Sequence, residues 1–222
     1  MSLLDGRLQA VLNQIPAGSI LLDVGTDHCK LPAEGLLSGR LKKAYASDVK
    51  EGPLQAAERQ LSAQGLAGKV ELFLSNGLTA IPFEILEEVT AVSVAGMGGE
   101  VMEVILSTAP LEPPLWILQP MSAVYELLDY FGREGYAVVA GDLARDGDKF
   151  YRIFRVQKTG ASYTPDYFSM HRGDPLYRSF LEKEERRLLT ALDGLNRAKE
   201  PDKKRIAEAQ GLLEKIRKAK DT

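Results

Sequence analysis

The sequence predicts a doubly wound α/β fold, and three observations lead to this prediction. Between residues 19 and 135, short apolar runs alternate strictly with amphipathic segments, which is the pattern of parallel strands joined by crossover helices. The run 20–25 (Ile-Leu-Leu-Asp-Val-Gly) ends in an acid and a glycine, as buried strands do where they lead into a ligand-binding loop. Residues 136–143 and 151–156 then follow each other without a helix between them, which indicates an antiparallel last strand. We therefore expect a seven-stranded sheet.

The individual elements follow from the same patterns, taken in chain order. Apolar residues at helical spacing predict a first helix over residues 3–12. Strands are predicted over residues 19–24, 44–48, 70–74, 91–95, 115–118, 136–143 and 151–156. Helices are predicted over residues 30–37, 52–64, 81–88 and 122–131, with Ser122 as the N-cap of the last, and one more follows the loop 96–99 and ends at residue 106.

The spacing of the apolar residues changes after residue 160. Apolar residues recur every three or four positions over 177–195 and again over 206–216, with Pro201-Asp202 between the two segments. We expect two domains, an α/β domain over residues 1–160 and a C-terminal, coiled-coil-like helical hairpin over residues 161–222. A dimerisation coil is the alternative interpretation of the hairpin.

Composition and charge narrow the classes of protein to consider. No run of 18 apolar residues predicts a transmembrane helix, and no apolar leader follows the first residues, so we expect a cytoplasmic protein. Cys29 is the single cysteine and only two histidines are present, which argues against disulfides and against a Cys/His zinc site. Residues 1–164 carry a net charge of −6 and residues 165–222 a net charge of +3. The basic tail suggests an acidic partner such as nucleic acid, or else a solvated helical surface.

Polar segments follow three predicted strands, namely 23–28, Asp48 and 75–77, and these strand ends meet at one edge of a doubly wound sheet. Neither Gly-x-Gly-x-x-Gly nor a phosphate-binding Gly-x4-Gly-Lys motif is present, and acids in the first loop would repel a phosphate. S-adenosylmethionine fits better, because it has an adenosine, no phosphate, and cationic ammonium and sulfonium groups. Asp48 is placed to accept hydrogen bonds from the ribose, and Asn76 to bond the adenine edge. The predicted fold is thus a Rossmann-like α/β fold that binds S-adenosylmethionine.

Four motifs make the sequence similar to a known family. They are Asp23-Val-Gly25-Thr-Asp27-His28-x-x-Leu31-Pro32, Asn76-Gly77-Leu78, Ala95-Gly96-Met97-Gly98-Gly99 and Leu118-Gln119-Pro120. Together they resemble the bacterial TrmK family of tRNA (adenine-22-N1)-methyltransferases, over essentially the whole chain. The resemblance implies a class I S-adenosylmethionine-dependent methyltransferase domain followed by a C-terminal helical hairpin. The chain departs from the family pattern at Cys29-Lys30, where relatives have Ala-Tyr, and at Asp48-Val49, where relatives often have Glu-Val.

The resemblance implies transfer of a methyl group from S-adenosylmethionine to N1 of an adenine in the tRNA D-arm, with no metal. Asp27 is the candidate that stabilises the charge developing on the adenine, and Gly96 and Met97 form the loop that meets the base. The predicted cofactor-binding residues are Asp23, Gly25, Thr26, His28, Asp48, Val49, Asn76, Gly77, Ala95 and Gly98. The predicted tRNA-binding residues are Gln119, Arg133, Arg145, Arg186, Arg187, Lys203, Lys204 and Arg205, with Arg7 and Lys149 as further cations on the α/β domain.

The sequence leaves other functions and other residue roles open. The same fold serves small-molecule and protein methyltransferases, and a protein that binds S-adenosylmethionine or RNA without catalysis would show the same strand ends. Gln119 either reaches the base or only completes its strand. His28 is expected to be packed or to fix the loop rather than to carry a proton. We expect a monomer or a weak dimer.

Overall fold

The computed structural model describes residues 4–198 and 200–221, which form two compact units that divide between Pro165 and Asp166. The strands of the first unit are β1 (Ser19–Val24), β2 (Leu41–Asp48), β3 (Val70–Leu74), β4 (Ala91–Gly98), β5 (Trp116–Ser122), β6 (Tyr136–Asp146) and β7 (Lys149–Lys158). Its helices are α1 (Gly6–Gln14), α2 (Lys30–Leu37), α3 (Glu51–Ala63), α4 (Phe83–Glu88), α5 (Gly99–Ser107) and α6 (Val124–Glu134).

The seven strands form one sheet in the order β3-β2-β1-β4-β5-β7-β6. Strands β1 to β5 pair in parallel, and β7 runs antiparallel to both β5 and β6. The predicted seven-stranded α/β sheet with an antiparallel last strand is therefore confirmed. Because the chain moves outward from β1 to β3 and returns to β4, the strand order reverses between β1 and β4, which is where doubly wound sheets bind ligands.

The centre of the sheet is buried on both faces, which explains why β1 and β4 are almost continuously apolar in sequence. Leu21 and Leu22 in β1 and Val92 and Val94 in β4 are fully buried. The buried polar residues of these two strands are therefore conspicuous, and one of them, Asp23, lies near the carboxyl end of β1.

Most elements differ from the predicted bounds by a few residues, and three of the differences have identifiable reasons. Helix α1 begins at Gly6 because the carboxylate of Asp5 accepts a hydrogen bond from the Leu8 amide at 2.8 Å, and the predicted start at residue 3 lies outside the described residues. Strand β4 continues through Gly98, since Met97 and Gly98 pair with β5. The prediction of Ser122 as an N-cap is wrong: Ser122 ends β5, and Ala123 precedes α6 in a left-handed conformation with no side-chain cap.

The second unit is built on two helices, α7 (Tyr177–Arg197) and α8 (Lys203–Lys220), after a short 3₁₀ turn at Ser169–His171. Asp202 caps α8 by accepting hydrogen bonds from two backbone amides. Glu185 of α7 pairs with Lys220 of α8 at 2.7 Å, near the end of α8, so the two helices run antiparallel. Their buried side chains are Phe180, Leu181, Leu188, Leu192, Ala209, Leu213 and Ile216.

The first unit extends past residue 160 because the segment after β7 is hydrogen-bonded back to it. The carbonyl of Gly135 accepts from the amides of Thr159 and Gly160, and the carbonyl of Gly132 accepts from the Tyr163 amide. The structure thus places the division between the units slightly later in the chain than predicted. Within the described part of the chain, no helix is long and apolar enough to cross a membrane.

Candidate functional site

Asp23 is a buried carboxylate near the carboxyl end of β1. It pairs in register with Ser93 of β4, whose hydroxyl donates a hydrogen bond to Asp23 Oδ1 at 2.6 Å. Burial raises the pKa of Asp23 from 3.8 to about 6, and the hydroxyls of Ser93 and Thr26 partly oppose this rise. At neutral pH the carboxylate of Asp23 is therefore charged although it is buried in the sheet beside the first loop, and it has lost its hydration by water.

The first loop turns at Gly25, which has a φ of +75°. The amides of Gly25 and Thr26 both donate to the carbonyl of Ser47 in β2, at 2.8 and 3.0 Å, so the loop is tied to the neighbouring strand. The methyl group of Met97 fills the space that a β-carbon on Gly25 would need. The loop after β1 and the end of β4 are therefore in direct contact.

His28 and Cys29 adopt left-handed conformations in succession, with φ of 56° and 53°. Such conformations are unfavourable for residues with a β-carbon and persist only where the surroundings hold them. Cys29 supplies the anchor, because its side chain is fully buried in the hydrophobic core directly before α2. Burial, with the nearby charge of Asp23, raises the pKa of the Cys29 thiol to about 12. The departure from the family pattern at Cys29 is therefore a change in the core.

Asp27 and His28 project from this anchored loop into solvent. The side chain of Asp27 is 84% exposed and that of His28 is 50% exposed, and Nε2 of His28 lies 3.3 Å from Oδ1 of Asp27. The two groups are positioned for contact with a bound molecule rather than with the core.

The carboxyl end of β2 lies beside that of β1, and the carboxyl end of β3 lies beside that of β2. Asp48 at the end of β2 is half-buried, its Oδ1 accepts from the amide of Lys50 at 2.9 Å, and its carbonyl accepts from the amide of Ser75. Val49, the next residue, is 61% exposed, which is unusual for an apolar side chain and provides an apolar contact surface. Asn76 is exposed after β3. Among the described residues, no group of three or more His, Cys, Asp or Glu is arranged to hold a metal ion.

The end of β4 is held by Gln119 of β5. Oε1 of Gln119 accepts one hydrogen bond from the Gly96 amide at 3.1 Å and another from Nη1 of Arg7 at 2.8 Å. Nε2 of Gln119 donates to the carbonyl of Pro120 at 2.9 Å, and the side chain is fully buried. Gln119 thus supports Gly96 from inside the protein. Gly96 is exposed at an irregularity of β4, where the pairing with β5 shifts register and the chain turns locally, and this position is called the Gly96 turn below.

The predicted tRNA-binding cations are spread over both units. In the first unit, Arg133 is 63% exposed and pairs with Glu134, and Arg145 is 48% exposed and lies 3.8 Å from Asp148. In the second unit, Arg187 pairs with Glu184, and Lys204 lies 3.9 Å from Glu208. Arg186, Lys203 and Arg205 are also exposed on the helices of that unit.

Comparison with known proteins agrees with this geometry. The family profile described as a methyltransferase domain matches residues 4–154, which is more than half of the chain. The chain belongs to the methyltransferase-domain family. The matched range ends within β7 and includes every strand-end residue described above.

The methyltransferase is also similar to proteins of the TrmK family, as its motifs predicted. It is 29% identical over 184 residues to a tRNA (adenine(22)-N(1))-methyltransferase of Bacillus subtilis (strain 168), covering 82% of this chain and 76% of that protein. It matches a putative tRNA (m1A22) methyltransferase of Streptococcus pneumoniae with 29% identity and a TM-score of 0.82, covering 98% of this chain and 100% of that one. That protein has also been solved with S-adenosyl-L-methionine.

A third relative adds a complex with the reaction product of the cofactor. M. capricolum TrmK, solved with S-adenosyl-homocysteine, has 27% identity and a TM-score of 0.81, with 98% of each chain covered. These matches confirm the resemblance that the motifs of this methyltransferase indicated.

Two features of the site are not evident from the sequence. Ser93 reads as an ordinary residue of an apolar strand, and only the strand order shows that it faces Asp23. Arg7 and Gln119 are 112 positions apart, and no spacing rule connects them. The one hint in the sequence is that Gln119 directly follows the apolar residues of a predicted strand, because an amide buried there requires partners.

Proposed function

We propose that this chain transfers a methyl group from S-adenosylmethionine to N1 of adenine 22 in tRNA. The observation that carries the proposal is the similarity to the S. pneumoniae putative tRNA (m1A22) methyltransferase over 98% of this chain, which includes the helical unit as well as the α/β unit. A likeness limited to the α/β unit would indicate the fold and leave the substrate open.

The residues at the strand ends fit the cofactor. The half-buried carboxylate of Asp48 suits two neighbouring ribose hydroxyls. The exposed side chain of Val49 offers an apolar face to an adenine ring, and Asn76 offers an amide to its edge. When bound, S-adenosylmethionine supplies a methyl group on a cationic sulfonium, which is the electrophile.

The chemistry that the protein must add is electrostatic. N1 of adenine has a free lone pair at neutral pH, so no general base is needed before attack on the methyl group. Attack leaves a positive charge spread over the ring and its exocyclic amino group. Asp27 is exposed beside the cofactor loop, and its carboxylate would stabilise this charge and accept a proton afterwards.

The turn at Gly96 is proposed to receive the target base. Gly96 is exposed, has no side chain, and is held in place by Gln119, so a flat base can approach its backbone closely. Because Met97 contacts Gly25, this turn is coupled to the cofactor loop. Gln119 acts here as a support, since its amide is already hydrogen-bonded on both sides.

The helical unit is proposed to bind the tRNA backbone. Its net charge is positive, whereas that of the α/β unit is negative, so phosphate contacts are favoured on the helices. Lys203, Lys204 and Arg205 are exposed at the start of α8 and are the strongest candidates. A tRNA substrate and a free, buried Cys29 agree with a cytoplasmic enzyme, and we propose that it acts as a monomer or a weak dimer.

The test is methyl transfer from labelled S-adenosylmethionine to unmodified tRNA transcripts, with the modified nucleoside identified by mass spectrometry. We expect N1-methyladenosine in transcripts with adenine at position 22, and none in a matched transcript with guanine there. Transfer to a protein or a small molecule in a cell extract, without transfer to tRNA, would favour another methyltransferase of the same fold. Binding of S-adenosyl-homocysteine with no transfer at all would indicate a non-catalytic protein.

A further inference from the structure

Arg7 lies next to the turn at Gly96. Both residues donate to the same oxygen, Oε1 of Gln119, with distances of 2.8 Å from Arg7 Nη1 and 3.1 Å from the Gly96 amide. Nη1 of Arg7 is also 3.5 Å from the position that a β-carbon on Gly96 would occupy. A molecule that contacts the exposed side of Gly96 is therefore within reach of the guanidinium group.

The guanidinium group of Arg7 is held in place while part of it still faces solvent. Gln119 fixes one nitrogen, Nη2 lies 3.9 Å from Asp5, and the ring centroid of Tyr151 is 6.0 Å from the guanidinium carbon. The side chain is 22% exposed. A guanidinium carries five N–H donors, and the hydrogen bond to Gln119 uses one of them.

The charges around the site give this arginine a specific importance. Three carboxylates, those of Asp23, Asp27 and Asp48, lie at the neighbouring strand ends, where they suit a cationic cofactor but repel a polyanion. A nucleic acid that presents a base at Gly96 must bring its phosphates toward these acids. A cation fixed beside the Gly96 turn offsets that repulsion for the phosphates closest to the bound base.

We propose that Arg7 binds a backbone phosphate next to the target adenosine and so positions the base on the Gly96 turn. This role rests on the proposed function, since it assumes a tRNA substrate. Guanidinium groups bind phosphates through two parallel hydrogen bonds, and Gln119 already holds the group in one orientation, so little side-chain entropy is lost on binding. Fixing the backbone beside an extruded base is what keeps that base in the site.

The experiment compares the wild-type enzyme with Arg7→Gln and Arg7→Lys, and with Arg59→Gln as a control that removes an exposed cation on α3. The measurements are tRNA affinity as a function of salt concentration, steady-state methylation of tRNA, and calorimetric affinity for S-adenosyl-homocysteine. Arg7→Gln is expected to lower tRNA affinity and kcat/KM about 10- to 100-fold. It should also reduce the slope of log affinity against log salt by about one. Arg7→Lys should keep most of the slope but not the full rate, because an ammonium lacks the planar fork.

A second variant tests the charge without removing the arginine. Gln119→Glu places a carboxylate against Arg7 in the position of the present amide, so the guanidinium gains a buried ionic partner besides its 3.9 Å contact with Asp5 and should lose its attraction for phosphate. We expect the same decrease in the salt slope as for Arg7→Gln. Affinity for S-adenosyl-homocysteine should stay within about twofold of wild type in the Arg7 variants, since Arg7 holds the RNA side of the site.

The outcomes separate this inference from the proposed function. If the wild-type enzyme does not methylate tRNA, the proposed function fails and this role fails with it. If the wild-type enzyme methylates tRNA but a folded Arg7→Gln variant keeps the wild-type salt slope and KM, only the role of Arg7 is overturned. Equal losses of affinity for tRNA and for S-adenosyl-homocysteine would also overturn it, because they would indicate a purely structural arginine.

Discussion

The methyl group of Met97 lies against Gly25, where a β-carbon would otherwise stand. The contact joins the loop after β1 to the irregular end of β4, which are proposed to hold the cofactor and the base respectively. Gly25 is thus required to be glycine for two separate reasons, its φ of +75° and the packing of Met97.

Gly25→Ala, alone and combined with Met97→Ala, separates the backbone strain from the steric conflict. A left-handed residue with a β-carbon costs about 1–2 kcal/mol, and the displaced loop should lower affinity for S-adenosyl-homocysteine at least about tenfold. Adding Met97→Ala removes the steric conflict but not the backbone strain, so calorimetry on the double variant should recover only part of the affinity. Gly18→Ala is the matched control, because Gly18 has a φ of +79° with no atom near its missing β-carbon. Full recovery in the double variant would show that sterics alone matter.

Asp23 should make the stability of the protein depend on pH. Its pKa is raised from 3.8 to about 6, so the folded state binds a proton more tightly than the unfolded chain does. Stability from this residue is therefore retained at low pH and is lost as the pH rises from about 4 to 6, by about 3 kcal/mol in total. Asp23→Asn removes the buried charge and keeps an acceptor for Ser93. The free energy of unfolding of this variant in urea should therefore exceed that of the wild type, and this advantage should be larger at pH 7.5 than at pH 4.5. An advantage that is equal at both pH values would contradict this cause. Asp148→Asn, at a 97% exposed carboxylate, is the control.

Asp27 is expected to act on the reaction rather than on cofactor binding. Replacing Asp27 with Asn keeps the shape and removes the charge, and Ala removes both. Both variants should lower kcat about 100-fold or more, in the range seen when a group that stabilises transition-state charge is removed. Affinity for S-adenosyl-homocysteine should stay within about twofold by calorimetry, because the proposed partner of Asp27 is the target adenine and not the cofactor. Equal losses in kcat and in that affinity would count against the catalytic role.

The basic start of α8 should control tRNA affinity. A triple alanine variant at Lys203, Lys204 and Arg205 should raise KM for tRNA about 10- to 100-fold and reduce the salt slope by about two or three, since up to three phosphate contacts are lost. Cofactor affinity should not change. Arg178→Ala, at an 88% exposed cation near the start of α7, is the control. An unchanged salt slope in the triple variant would place the phosphate contacts elsewhere.

Much of the fold follows from local signals, and the exceptions are instructive. The bounds predicted for β1, α2 and β3 are those observed, because glycine and polar turn residues delimit each of them. The end of β4 was predicted as a loop because Gly96 and Gly98 are typical of loops. Only the pairing with β5, which local sequence does not encode, extends that strand.

The sequence likewise predicts some residues of the candidate site and not others. Asp23, Asp48 and Asn76 could be predicted to share one edge, because strand ends in a parallel sheet meet there. The bond from Arg7 to Gln119 could not be predicted, since it depends on how α1 packs on strands far away in the sequence. The burial of Cys29 in the core could not be predicted either, because the motif in which it lies gives no apolar periodicity.

The burial of Cys29 also gives the protein an internal reporter. Thiol reagents attack the thiolate, and a fully buried thiol with a pKa of about 12 reacts only when the segment around it opens. Since Cys29 is the single cysteine, the rate of its alkylation in the native protein measures how often the loop between β1 and α2 opens. Ligand-induced changes in that motion can therefore be timed in the unmodified enzyme, with no label introduced.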